Sequence, residues 1–200
     1  MSKHIVICTD GTWNDPTDQT NVYKLFQMLD FGPEDAVAKG GGIYEHQRKQ
    51  NERGLAFYLS GVGADGVENS PLHGSLGTGL RRRVIDAFLL ASMNYQPGDK
   101  LWLFGFSRGA WTARSLAGLI ARSGLMRSVD WERHERRDLA KEHWEADKNG
   151  ANRARGDAFW GGGTAIELVG VWDTVGALGI PFFNGVRAVD LFERKAFDFA

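Results

Sequence analysis

A chain of 200 residues with 42% hydrophobic and 24% charged side chains is long enough to bury one sizeable core, and we read residues 1–200 as a single domain carrying one insertion. A formal net charge of −1 gives no broad electrostatic pull toward nucleic acid or an anionic membrane surface. The single cysteine, Cys8, excludes an internal disulfide, and no stretch of the sequence reaches the length of a membrane span.

Met1-Ser2-Lys3-His4 leads straight into a short strand rather than an apolar signal region, so we expect synthesis in the cytoplasm and any export to proceed without a cleavable signal peptide. The first strand is residues 4–8, where Ile5-Val6-Ile7-Cys8 reads as core and the cysteine as a buried residue; it ends in Asp10-Gly11-Thr12. A helix over 21–29 follows. Residues 32–54, with Gly40-Gly41-Gly42 and a charged run, read as a mobile surface loop. The next strand, 56–61, ends in Gly61-Val62-Gly63. Gly74-Ser75-Leu76-Gly77-Thr78-Gly79 has the look of a phosphate loop, but no Gly-Lys-Ser/Thr follows, so it is read as the start of a helix over 79–93. Arg81-Arg82-Arg83 at that start are candidate contacts for a phospholipid headgroup.

Gln96-Pro97-Gly98-Asp99 is a turn signal ahead of a strand over 100–106, and Trp111, Ser115, Leu116, Leu119 and Ile120 recur at helical spacing within a helix over 107–122. Residues 130–155 form a densely charged insertion with a helix over 131–147. Its default reading is a solvated face with i,i+4 ion pairs; its functional reading is a lid whose tryptophans meet an acyl chain or a membrane surface. A last strand, 166–172, ends in Asp173-Thr174. Strand-length apolar runs alternating with helical patterns argue for an α/β fold, a mostly parallel sheet with flanking helices. In such sheets ligands bind outside the carboxyl ends of the strands, so four glycine- or aspartate-bearing loops converge on one edge.

Between the run Leu101-Trp102-Leu103-Phe104 and the following helix stands Gly105-Phe106-Ser107-Arg108-Gly109. Strand, G-x-S-x-G and helix together read as a nucleophile elbow, a sharp turn whose glycines leave room for tightly folded backbone and whose serine is lifted above the sheet. The helix that begins there aims free N–H groups and its positive dipole end at the place where charge develops on a substrate carbonyl oxygen. The chemistry is acyl transfer, and the plain alternative is a serine that only caps a helix. Such a serine needs a base and an orienting carboxylate. Asp173, at a strand end on the same edge and expected to be partly buried there, fits the acid. All histidines (His4, His46, His73, His134 and His143) precede it, and none reads as the base.

Four motifs, in order and spanning nearly the whole chain, resemble the Tle1-like family of type VI secretion phospholipase effectors, the DUF2235 domain, an α/β-hydrolase variant. They are Cys8-Thr9-Asp10-Gly11-Thr12-Trp13-Asn14, Tyr58-Leu59-Ser60-Gly61-Val62-Gly63, Gly105-Phe106-Ser107-Arg108-Gly109-Ala110-Trp111-Thr112-Ala113-Arg114 and Val171-Trp172-Asp173-Thr174-Val175-Gly176. The resemblance implies Ser107 as nucleophile and Asp173 as triad acid. It also implies an oxyanion site from Gly11, Thr12 and the N–H of Arg108, with Asp10 at the site's edge.

By the same resemblance the protein is a serine hydrolase of carboxylic esters, foremost phospholipid acyl esters, working as an antibacterial secretion effector with no metal and no organic cofactor. The implied partners are a lipid or small ester substrate, the secretion apparatus and an immunity protein, with no nucleic acid. The family's histidine lies in a later segment without a counterpart here, so we expect an α/β-hydrolase-like domain incomplete at its C-terminal side. The alternative is a catalytically silent lipid- or protein-binding module on the same fold. A strand ending in Asp-x-Asp-Gly-Thr would instead mark a haloacid-dehalogenase-type phosphotransferase, but Cys8 stands where that chemistry needs its attacking aspartate.

Overall fold

The computed structural model describes residues 2–37, 46–64, 75–127, 133–148, 159–160 and 165–175. Along them run β1 (His4–Thr9), a 3-10 turn (Pro16–Asp18), α1 (Asn21–Met28), β2 (Glu34–Val37), β3 (His46–Asn51), β4 (Gly54–Leu59), α2 (Ser75–Asn94), β5 (Lys100–Phe106), α3 (Arg108–Ser123), β6 (Leu125–Met126), α4 (Arg133–Lys148), β7 (Phe159–Trp160) and β8 (Ala165–Trp172). β1 is apolar at nearly every position because both its faces are covered. Ile5 and Ile7 pack in the cluster built by α2 and α3, whereas Val6 and Cys8 pack with Val22, Tyr23 and Phe26 of α1. Each large apolar side chain so buried contributes about 1.5–3 kcal/mol.

The main sheet is ordered β2-β3-β4-β1-β5-β8, with β4, β1, β5 and β8 parallel and β2 and β3 attached as an antiparallel edge. Thr9 pairs with Leu59 on one side and Gly105 on the other, and Gly105 pairs with Val171, so the four parallel strands end level with one another. This is the mostly parallel α/β sheet expected from the sequence. α2 already begins at Ser75, so the stretch that looks like a phosphate loop runs into a helix. No helix among the described residues is long and apolar enough to cross a membrane.

Two expectations are corrected. The described residues of 32–54 include the hairpin partners β2 and β3 rather than a loop alone. β3 reads His-Gln-Arg-Lys-Gln-Asn and lacks the apolar alternation of a strand because its cation serves another element. Lys49 is buried, its Nζ donates to the Gln27 carbonyl (2.8 Å) near the end of α1, and it lies 5.2 Å over the Phe26 ring.

The helix of the charged insertion, α4, is not a solvated face all round. It buries Ala140, His143 and Trp144, with His143 stacked on Phe88 (5.6 Å) and Trp144 edge-on to Trp111 (6.4 Å). Arg137 reaches the fully buried Asp86 of α2 (2.8 Å). Arginines of the Arg81-Arg82-Arg83 run, which lies inside α2, are engaged as well: Arg81 pairs with Glu145 (2.7 Å) and Arg83 donates to the Gly61 carbonyl (3.2 Å).

Two buried ionisable groups tilt stability in opposite directions with pH. Burial, reinforced by Arg48, pushes His46 down from 6.5 to about 4, so its contribution is complete above 6.5 and is lost as pH falls through 4. Burial raises Asp86 from 3.8 to about 6 against the pull of Arg137, so its contribution is complete below 3.8 and is lost as pH rises through 6. Removing the histidine unmasks the second slope. Relative to its own stability at pH 7, His46→Gln should lose about 2 kcal/mol less than wild type by pH 4.5, measured from urea unfolding at the two pH values.

Candidate active site

Ser107 joins β5 to α3 with φ 55° and ψ −120°, a left-handed conformation that a side-chain-bearing residue holds only when its surroundings fix it. Here β8 does the fixing. The Ser107 amide donates to the Trp172 carbonyl (2.9 Å), and the Ser107 carbonyl accepts from Val175 (3.2 Å) and from Ala110 in the first turn of α3 (3.1 Å). Both elbow glycines answer to close approach. A Cβ at Gly105 would lie 2.6 Å from the Ala110 Cα, and one at Gly109 would collide with the Thr9 carbonyl oxygen, because α3 turns straight back over β5 and presses its first turn on the end of β1. The buried Thr9 hydroxyl donates to the Gly109 carbonyl (2.8 Å) and so ties that turn down.

The loop after β1 comes up against the serine. A Cβ at Gly11 would stand 3.1 Å from the Ser107 Cβ and 3.0 Å from the Phe106 ring. Asp10, 4% exposed, accepts from the Gly11 amide at Oδ1 (2.8 Å) and from the Thr20 hydroxyl (2.6 Å) and the Tyr58 hydroxyl (2.7 Å) at Oδ2. Burial pushes the Asp10 carboxyl above its usual range while these three donors pull it back, and burial together with Asp10 keeps the Tyr58 phenol protonated.

Beyond Gly11 the loop is laced to the segment after β4. Trp13 donates to the Val62 carbonyl (3.0 Å), and Gly61 donates to the Asn14 carbonyl (2.8 Å). Trp13 has φ 67°, lays its ring on Gly63 and is 53% exposed at the rim. With the Gly11 amide committed to Asp10, the amide of Thr12 in this loop and that of Arg108 at the start of α3 have no acceptor among the described residues.

Asp173 follows directly on Trp172 at the same edge, with φ 44°. It is exposed, not partly buried, because β8 is the outermost strand among the described residues. Burial holds the Cys8 thiol well above its usual range, which fits a core residue and not a nucleophile.

The histidines lie elsewhere. His4 sits at the opposite end of β1, where its Nδ1 accepts from the Trp102 indole (3.0 Å). His46 starts β3, three strand spacings from β5, or roughly 14 Å at ~4.8 Å per strand. His143 packs between α4 and α2. His73 and the His134 side chain fall outside the described residues, and among the described residues no imidazole is placed beside Ser107. A cavity bordered by Lys3, Gln96 and Arg127 opens at the starts of β1 and β5, away from this edge. Among the described residues no cluster of His, Cys, Asp and Glu has a metal-binding arrangement.

Thr9, Thr20 and Tyr58 escape the sequence reading as supports of this site. Thr9 and Tyr58 carry a signal, each by standing in one of the motifs, and Thr20 carries none.

Residues 3–199 match the family described as T6SS, phospholipase effector Tle1-like, catalytic domain. The chain is also 29% identical over 140 residues to the uncharacterized protein YEL023C of Saccharomyces cerevisiae, a similarity that covers 62% of this chain and 18% of the yeast protein. The chain therefore spans less than a fifth of that relative's length. No solved structure gives a significant match.

Proposed function

We propose, from the premise that this chain belongs to the Tle1-like catalytic domains of type VI secretion phospholipase effectors, that it is a serine hydrolase of phospholipid acyl esters with Ser107 as nucleophile. The observation that carries the reading is the elbow geometry of Ser107 together with the Gly11 loop against its Cβ. Ser107 Oγ attacks the ester carbonyl carbon and gives its proton to a base. The carbonyl electrons move onto oxygen, facing the Thr12 and Arg108 amides. Collapse of the tetrahedral species expels the alcohol, which takes the proton, and leaves an acyl-serine that water cleaves by the same steps.

The base is a histidine from outside the described residues, and Asp173 is the carboxylate that orients it. The exported protein meets lipid as substrate and, as partners, the secretion apparatus and an immunity protein. A second reading, a silent lipid- or protein-binding module, is favoured by one observation, the lack of an imidazole beside Ser107 among the described residues. A fluorophosphonate separates the two. The first reading expects one covalent adduct, located by mass spectrometry on the peptide carrying Ser107, with fatty acid released from phospholipid vesicles. An unlabelled chain that still binds those vesicles decides for the second.

A further inference from the structure

We infer that Asp10 is a positioning residue for this site: its carboxylate, held by the Tyr58 and Thr20 hydroxyls, fixes the Gly11 amide and so sets the peptide planes of the loop, leaving the Thr12 amide to meet the developing oxyanion. The inference rests on the reading of Ser107 as nucleophile. Gly11 is wedged on two sides, against Ser107 and Phe106 on one and against Gly61 on the other, where a Cβ would collide with the Gly11 carbonyl oxygen. Packing so tight fixes where the loop lies. It leaves the direction of its amides to be decided by hydrogen bonds, and an oxyanion site depends on that direction.

Asp10 decides it with both oxygens. One takes the Gly11 N–H, which removes that amide from competition, and the other is anchored to β4 through Tyr58 and to the start of α1 through Thr20. Thr20 is itself held, since its Oγ1 accepts from the Tyr23 amide (3.1 Å) while donating to Asp10. All three partners donate here, and the carboxylate accepts from them on both oxygens. Asparagine has nearly the same shape but no charge, and with its Oδ1 kept on the Gly11 N–H its NH2 faces the two hydroxyls, which must turn from donors into acceptors and so give up the charge-assisted anchor. A buried carboxylate with three donors is worth keeping where an aligned loop is needed; for packing alone an apolar side chain would serve better.

The test uses the wild-type chain with Asp10→Asn and Tyr58→Phe, reading fluorophosphonate inactivation as separate kinact and KI, with circular dichroism and urea midpoints to establish that each variant is folded. Asp10→Asn is expected to lower kinact about 10- to 100-fold at unchanged KI, since a displaced oxyanion donor acts on the transition state. Tyr58→Phe, which leaves two of the three donors, is expected to lower kinact about 3- to 10-fold. The Gly11 amide resonance should move upfield in Asp10→Asn as its charged acceptor is lost. A folded Asp10→Asn or Tyr58→Phe variant with wild-type kinact overturns the positioning role and leaves the nucleophile standing. A wild-type chain that takes no label overturns the nucleophile, and the positioning role falls with it.

Discussion

Gly109→Ala is expected to cost more than about 3 kcal/mol of stability, while Gly118→Ala, further along the same helix, is expected to add up to about 1 kcal/mol. The substitutions are identical and the surroundings decide the sign. At Gly109 the new methyl meets the carbonyl oxygens of Thr9 and Asp10, which belong to the end of β1 and cannot swing away. α3 must therefore lift off the sheet, which breaks the buried bond from the Thr9 hydroxyl to the Gly109 carbonyl and pulls the Ser107 turn out of shape. At Gly118 the methyl approaches only the Arg122 guanidinium (3.0 Å), the far end of a flexible side chain, and alanine gains on glycine in helix propensity. Urea unfolding of the two variants beside wild type measures both. Comparable small effects would mean that the first turn of α3 does not rest on β1.

That turn also separates what is legible in the sequence from what is not. β1 and β5 are readable because parallel strands covered on both faces have to be apolar for several residues running, and α3 is readable because only one side of it enters the core. The elbow is readable because two glycines flank a serine at a strand–helix junction. β3 is not, since its lysine acts as a cap for α1 and its histidine is buried for packing on Phe57, which leaves a strand composed of polar letters.

The clamp on Asp10 is hidden for a different reason. Its partners stand at Thr20, which caps the start of α1, and Tyr58, on β4, and nothing in the spacing of the sequence says that the sheet order puts β4 directly beside β1. The same holds for the Thr9 hydroxyl, whose acceptors Phe104 and Gly109 lie on the neighbouring strand and helix. A strand end implies an edge position for Asp173 but not its burial, which depends on whether another element flanks β8. Motifs name the residues at the edge of the sheet; only the pairing order tells which of them touch.

Replacing Ser107 by alanine or by glycine is expected to lower vesicle hydrolysis and fluorophosphonate labelling by more than about a thousand-fold in both cases, yet the two variants should differ in stability by about 1 kcal/mol in favour of glycine. Loss of Oγ removes the proposed attacking atom either way. The backbone at φ 55° and ψ −120° remains, imposed by the Trp172 and Val175 contacts of Ser107, and alanine must occupy it with a Cβ that glycine lacks. The comparison of the two inactive chains therefore measures the strain stored at the elbow without interference from the chemistry. If alanine is as stable as glycine, the turn relaxes in solution and the serine is not held proud of the sheet. If either variant keeps its activity, the nucleophile is another residue. Strain present and activity absent together are what a fold yields when it holds one hydroxyl in a disfavoured conformation for the sake of reaction.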